Sequence, residues 1–161
     1  MKMKLVKCIA ATAAMTAIAG TAQAQDSNIY ANIGGEALDV FGASGNVVGR
    51  VGYDFHQYFA VETEGAVGVI DDNDGFKLDF RVAAYGRVKA PIGEQFEIFG
   101  RLGYYYAEAE GGNADDIAFG GGIEYFLSPK KRHSVRLEYT SLEFDGGINA
   151  DVYSLAYGIH F

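Results

Sequence analysis

The last eleven residues of the chain, 151–161, carry a large apolar side chain at every second position. Tyr153, Leu155, Tyr157, Ile159 and Phe161 alternate with Ser154, Ala156, Gly158 and His160. A period of two is the signature of a β-strand with one apolar face. Taken alone, such a strand fits a sandwich core as well as a lipid-facing wall. An aromatic at the end of the apolar face favours the wall, because aromatic rings sit well at a membrane–water boundary. The choice turns on whether the rest of the chain repeats the pattern.

It does. Breaks fall at Phe41–Gly45, His56-Gln57, Asp71–Gly75, Pro91–Glu94, Gly111–Asp116, Ser128–Arg132 and Asp145–Asn149, and both prolines lie within them. Pro cannot donate to a strand ladder, so breaks are where it belongs. Eight strands are predicted, at 27–39, 44–55, 58–70, 76–90, 95–109, 117–127, 133–144 and 151–161. Within most of them one parity is apolar, as in Phe96, Ile98, Leu102, Tyr104 and Tyr106, or Phe76, Leu78, Phe80 and Val82. The seventh strand loses phase at Thr140-Ser141, which a bulge or the end of a lipid zone explains. The fold class is all-β, an eight-stranded antiparallel up-and-down barrel.

The opposite parity carries charge of both signs: Glu36, Arg50, Asp54, Glu62, Glu64, Lys77, Asp79, Arg81, Arg87, Glu97, Arg101, Glu124, Arg136 and Glu138. A soluble barrel turns its apolar parity inward around a ligand, and a membrane barrel turns it outward. Periodicity does not choose between them. Three other features favour the membrane. The apolar faces are apolar along their full length. Their aromatics gather near strand ends, at Tyr53, Phe55, Phe59, Phe96, Tyr104, Tyr106, Tyr125 and Phe161. The polar face uses Arg and Glu, which suit a confined interior because a guanidinium can pair bidentately with a carboxylate.

Lys2, Lys4 and Lys7, the apolar run Ile9–Ile18 and the small-x-small triplet Ala22-Gln23-Ala24 read as a secretory signal peptide over 1–24, leaving a barrel domain at 25–161. The only cysteine, Cys8, leaves with it, so no disulfide or cysteine-held metal is expected. The full chain has a net charge of −8, and losing three lysines makes the remainder more acidic, which argues against nucleic acid as a partner. No later stretch approaches the ~20 apolar residues of a membrane helix.

With these features together, the mature chain resembles the eight-stranded outer-membrane β-barrel proteins of Gram-negative bacteria, the porin-family, outer-membrane protein A- and X-like and opacity-type barrels. The resemblance covers about residues 26–161. It implies an integral outer-membrane location and assembly by the barrel-insertion machinery, which would read the terminal strand Tyr153, Leu155, Tyr157, Ile159 and Phe161. It also implies outer-membrane lipids and lipopolysaccharide as surroundings, and a monomer.

Three sets of residues are candidate sites. Arg50, Arg81, Arg87, Arg101 and Arg136 are expected to face Glu62, Glu64, Glu124 and Glu138 in the lumen, with Glu124 and Arg136 in one network on adjacent strands. This set reads as an ion-paired plug or as a gated narrow pore. Asp71, Asp72, Asp74, Asp115 and Asp116 are expected in acidic outer loops. They fail the EF-hand pattern, since Gly75 and Val82 stand where ligands are needed, so a solvated rim is expected and no metal or cofactor. Lys130-Lys131-Arg132 forms a basic turn at the other end, where anionic phospholipid is one partner considered. His56, His133 and His160 all map away from the outer loops, so no nucleophile–base set is expected there and no enzyme. The expected function is a structural envelope role with at most a narrow pore. The alternatives are a surface-interaction or adhesin-type barrel acting through its loops, and a soluble lipocalin-like carrier.

Overall fold

The computed structural model describes residues 28–39, 43–70, 78–109, 112–144 and 148–161. Eight strands run in chain order: β1 Ile29–Asp39, β2 Ala43–His56, β3 Phe59–Ile70, β4 Leu78–Ile92, β5 Phe96–Ala109, β6 Gly112–Phe126, β7 His133–Phe144 and β8 Ile148–His160. Each pairs antiparallel with its sequence neighbour, and β1 pairs with β8 to close the barrel. Closure removes the open edges that a sheet of this size would otherwise present. One end carries the three short turns and Phe161 and is called the turn end. The other is the loop end.

The apolar parity faces outward. Val61, Val82, Val88, Leu102, Leu137 and Leu155 are all exposed. Exposed aromatics flank them, with Phe55, Tyr58, Phe59 and Phe96 toward the turn end and Tyr104, Tyr106, Tyr139 and Tyr153 toward the loop end. A continuous apolar wall of this extent is not tolerated in water and matches hydrocarbon bounded by aromatic girdles. The soluble-carrier alternative required the reverse arrangement and is set aside.

The interior has two layers. From mid-height to the turn end it is charged. Toward the loop end it is apolar, with Leu38, Val48, Leu78, Leu142 and Val152 gathered around Tyr105. These residues interrupt the polar parity in the sequence. Three interior aromatics are accommodated by glycine on a neighbouring strand. Tyr30 is the register partner of Gly52, Tyr85 of Gly103 and Phe99 of Gly122. A Cβ on these glycines would lie 2.1 Å from the Tyr30 ring, 2.6 Å from Tyr85 and 2.9 Å from Phe99.

Several boundaries differ from expectation. Strand β6 starts at Gly112, not 117, so Asp115 and Asp116 are strand residues and not loop residues. They pair with Tyr106 and Tyr105, and the Tyr104 hydroxyl donates to Asp115 Oδ2. These cross-strand contacts hold the ladder together up to Ala109 and Gly112, which face each other. Asp71, Asp72 and Asp74 lie outside the described residues. In β4 a register irregularity between Leu78 and Phe80 inverts the expected parity, burying Leu78 and exposing Asp79. Pro91 lies inside β4, not in a break. It stands beyond Val88, the last β4 residue paired to β3, so no ladder bond is lost on that side. Strand β7 pairs with β8 without a shift from His133 to Phe144. The phase loss at Thr140-Ser141 therefore marks the end of the apolar belt and not a bulge.

Two glycines separate these constraints. A Cβ on Gly103 meets the Ala84 carbonyl oxygen at 2.0 Å, while one on the lipid-facing Gly65 meets nothing within 4 Å. Gly103→Ala is expected to destabilise the barrel by ~1–3 kcal/mol and Gly65→Ala to change it by less than ~0.5 kcal/mol, read from urea unfolding in lipid vesicles.

Candidate functional site: the ion-paired lumen

Inward-facing alternate positions on all eight strands bring charged and polar groups to one axis. Five arginines, Arg50, Arg81, Arg87, Arg101 and Arg136, are buried there with Glu36, Glu62, Glu64, Glu97, Glu124 and Glu138. A charge held away from water costs several kcal/mol unless it is paired and hydrogen-bonded, so the pairing must be close.

Glu64 on β3 is the upper hub. Its carboxylate accepts from Arg50 Nε, Arg81 Nη2 and Arg101 Nη1, each at 2.8 Å. Arg81 also reaches Glu36 on β1 at 2.9 Å, and Asn46 donates to the same carboxylate at 3.3 Å. Glu138 on β7 lies across the lumen. It accepts from Arg50 at 3.1 Å, pairs with Arg101 at 2.5 Å and takes a further bond from Arg136 Nε at 2.8 Å.

Glu62 is the lower hub. Arg136 grips it with two nitrogens, at 2.6 and 3.1 Å, and the Tyr30 hydroxyl donates to it at 2.6 Å. Two parallel N–H···O bonds fix geometry as well as charge. Arg87 lies 3.4 Å from Glu62, 3.1 Å from Glu97 and 2.6 Å from Glu124. Lys89 bonds Asp54 at 2.7 Å near the turn end.

Aromatic faces complete the packing. Phe99 lies between the guanidinium groups of Arg87 and Arg136, 4.1 and 4.2 Å from its ring centre, and Arg101 stacks on Tyr85 at 3.9 Å. Such contacts are strongest where both groups are desolvated.

The structure thus brings all nine of the expected lumen residues into one network. Glu124 and Arg136 are register partners on β6 and β7, and they connect through Arg87 and Glu62. Sequence reasoning missed Lys89, Ser134, His160 and the interior aromatics Tyr30, Tyr85 and Phe99. Their signal was parity alone, since Tyr85, Arg87 and Lys89 alternate along β4 with Arg81.

The three histidines divide. His56 and His133 are exposed near the turn end, His133 beside the Tyr157 hydroxyl at 2.7 Å. His160 Nε2 enters the lumen mouth, 3.1 Å from Glu124 and 3.2 Å from Ser134 Oγ, and its ring stacks on Tyr30. Ser, His and Glu meet here, but not as a nucleophile relay. A relay places the acid on the ring nitrogen opposite the serine. Here both partners share Nε2, and Ser134 donates its own proton to Glu124 at 2.7 Å.

Among the described residues, no group of three or more His, Cys, Asp or Glu side chains is arranged to hold a metal ion. Of the acidic rim residues, Asp115 is exposed and Asp116 partly so, at the loop end of β6. In the terminal strand Tyr153, Leu155, Tyr157 and Ile159 all face outward.

Glu64→Gln leaves Arg50, Arg81 and Arg101 sharing one neutral amide. It is expected to cost ~3–5 kcal/mol, the scale of a broken buried pair, with a matching drop in urea midpoint. An unchanged midpoint removes the hub from this account.

Comparison with known proteins agrees with this architecture. The family described as outer membrane protein beta-barrel domain matches residues 9–161. A search of curated proteins returned no match. Among solved structures, the attachment invasion locus protein Ail of Yersinia pestis, crystallised with the heparin analogue sucrose octasulfate, superposes with a TM-score of 0.58 at 17% identity, over 84% of this chain and 97% of that one. The outer membrane protein OprG of Pseudomonas aeruginosa gives 0.60 at 13%, over 86% and 98%. Neisserial surface protein A gives 0.53 at 16%, over 83% and 96%. At these identities the likeness is one of fold. An outward apolar wall, a closed eight-stranded ladder and the family match across nearly the whole chain together make this protein a member of the outer-membrane β-barrel family.

Proposed function

We propose that this protein is a closed structural barrel of the outer membrane, a non-enzymatic contributor to envelope integrity that carries no steady flow of solute. One observation carries the reading: ion pairs cross the lumen and tie opposite walls together. Arg50 on β2 bonds Glu138 on β7, Arg136 on β7 bonds Glu62 on β3, and Arg81 on β4 bonds Glu36 on β1. With eight strands the bore is no wider than the side chains that fill it. An ion would have to displace buried pairs and then pass the apolar layer of Leu38, Leu78 and Leu142, where nothing replaces its hydration. Some donors, including Arg81 Nε and Arg101 Nε, meet no protein acceptor, so the charged layer is polar enough to retain internal water.

The test is single-channel recording of the refolded chain in a planar bilayer, with folding confirmed by heat-modifiable gel mobility. Silence is expected from the folded barrel. Steady, reproducible openings would overturn the reading and make Arg50, Arg81 and Arg101 selectivity candidates. The surface-interaction alternative acts through the loop end and has its own assay, cell adhesion after replacing 71–75 with Gly-Ser while β6, which begins at Gly112, is left intact.

A further inference from the structure

The cations are distributed unevenly. Outside the first segment, Arg50, Arg81, Arg87, Lys89, Arg101 and Arg136 are buried in the lumen, and Lys77 lies outside the described residues. Every described lysine or arginine on the outer surface is therefore in one turn, Lys130-Lys131-Arg132, between β6 and β7. From this turn and its setting we infer that the barrel carries a docking site for the phosphate headgroup of an anionic phospholipid at its turn end.

The turn is rigid. Lys131 N–H donates to the Ser128 carbonyl and Leu127 N–H to the His133 carbonyl, both at 2.9 Å. The His160 N–H on β8 donates to the Arg132 carbonyl, also at 2.9 Å, which fastens the turn to the next strand. Pro129 holds its own φ fixed within the turn. Lys131 adopts φ 52°, the left-handed region that glycine or asparagine fills at little cost. Among the described residues it is the only non-glycine residue there, and its ammonium rests 4.9 Å above the Phe126 ring at the lumen mouth. A strained backbone at a charged tip is a reason to look for a role beyond chain reversal.

Lys131 is thus occupied as a brace. Lys130 and Arg132, on either side of it, are exposed and have no side-chain hydrogen-bond or ion-pair partner among the described residues. Along the chain both residues lie between exposed Leu127 and the outward Val135 of β7. Leu127 and Tyr157 are exposed within the same corner, and the Tyr157 hydroxyl bonds His133. A ligand fitting this corner needs an anionic group for Lys130 and Arg132 and a chain for the wall below them. A phospholipid with net negative charge supplies both, and basic residues at such a level attract it. Free phosphate supplies the charge alone. The site stands apart from the closed-lumen reading, because conductance neither requires nor excludes it.

The experiment is solution NMR of the refolded barrel in neutral micelles, titrated with short-chain phosphatidylglycerol, with short-chain phosphatidylcholine and inorganic phosphate in parallel. Saturable amide shifts confined to residues 127–133 and the neighbouring end of β8 are expected with phosphatidylglycerol. Each lost basic charge is expected to weaken binding about fivefold, so Lys130→Gln with Arg132→Gln raises the half-saturation concentration roughly 25-fold. Unchanged shifts elsewhere in the barrel show that the variants are folded, and each single substitution, at about fivefold, serves if the double variant is not. Equal binding by wild type and variants overturns the proposal. So do equal shifts with phosphatidylcholine, and so does saturation by inorganic phosphate at the same concentration, which would leave an anion site without a lipid.

Discussion

Everything in this barrel depends on the requirement that a charge removed from water find an opposite charge at hydrogen-bond distance. The outer wall meets hydrocarbon, so the polar parity of every strand has one place to go. Eight strands leave an interior narrow enough that side chains from opposite walls touch. The two conditions together produce the hubs at Glu64, Glu62 and Glu138, each shared by several arginines. The pairing is also what joins the sheet across its diameter, since ladder hydrogen bonds link only adjacent strands.

The partners are distant in sequence. Glu62 and Arg136 are separated by 74 residues, and Arg50 and Glu138 by 88. A sheet lacking β7 would leave Glu62 without the two-nitrogen grip of Arg136 and Arg50 without Glu138, in a medium that cannot solvate them. Closure and neutralisation are therefore one event, and a partly assembled barrel is penalised twice, by open edges and by unpaired charge.

The strand count, the parity of most strands and the identity of the main lumen charges were legible because the period-two signal is strong when one face meets lipid. The same reasoning failed where local contacts overrode pattern. Asp115 and Asp116 look like loop residues by composition, yet their pairing with Tyr106 and Tyr105 keeps them in a strand. Asp79 was assigned to the wrong face because a ladder irregularity leaves no mark in the alternation. Leu38, Leu142 and Val152 are apolar residues on the polar parity, and they form a layer of their own. Which arginine meets which glutamate was not legible at all, since it depends on register and tilt across the lumen and not on spacing along the chain.

The interior aromatics have a consequence of another kind. Tyr30, Tyr85 and Phe99 each occupy space that a glycine on a neighbouring strand leaves open. Neither member of such a couple is free to drift alone: enlarging the glycine displaces the ring, and shrinking the ring opens a void beside stacked guanidinium groups. Across related barrels the two positions of each couple should therefore change together, large with small, even where the outward residues beside them vary freely among apolar types. The chain's history of tolerated change should be written as matched substitutions across neighbouring strands.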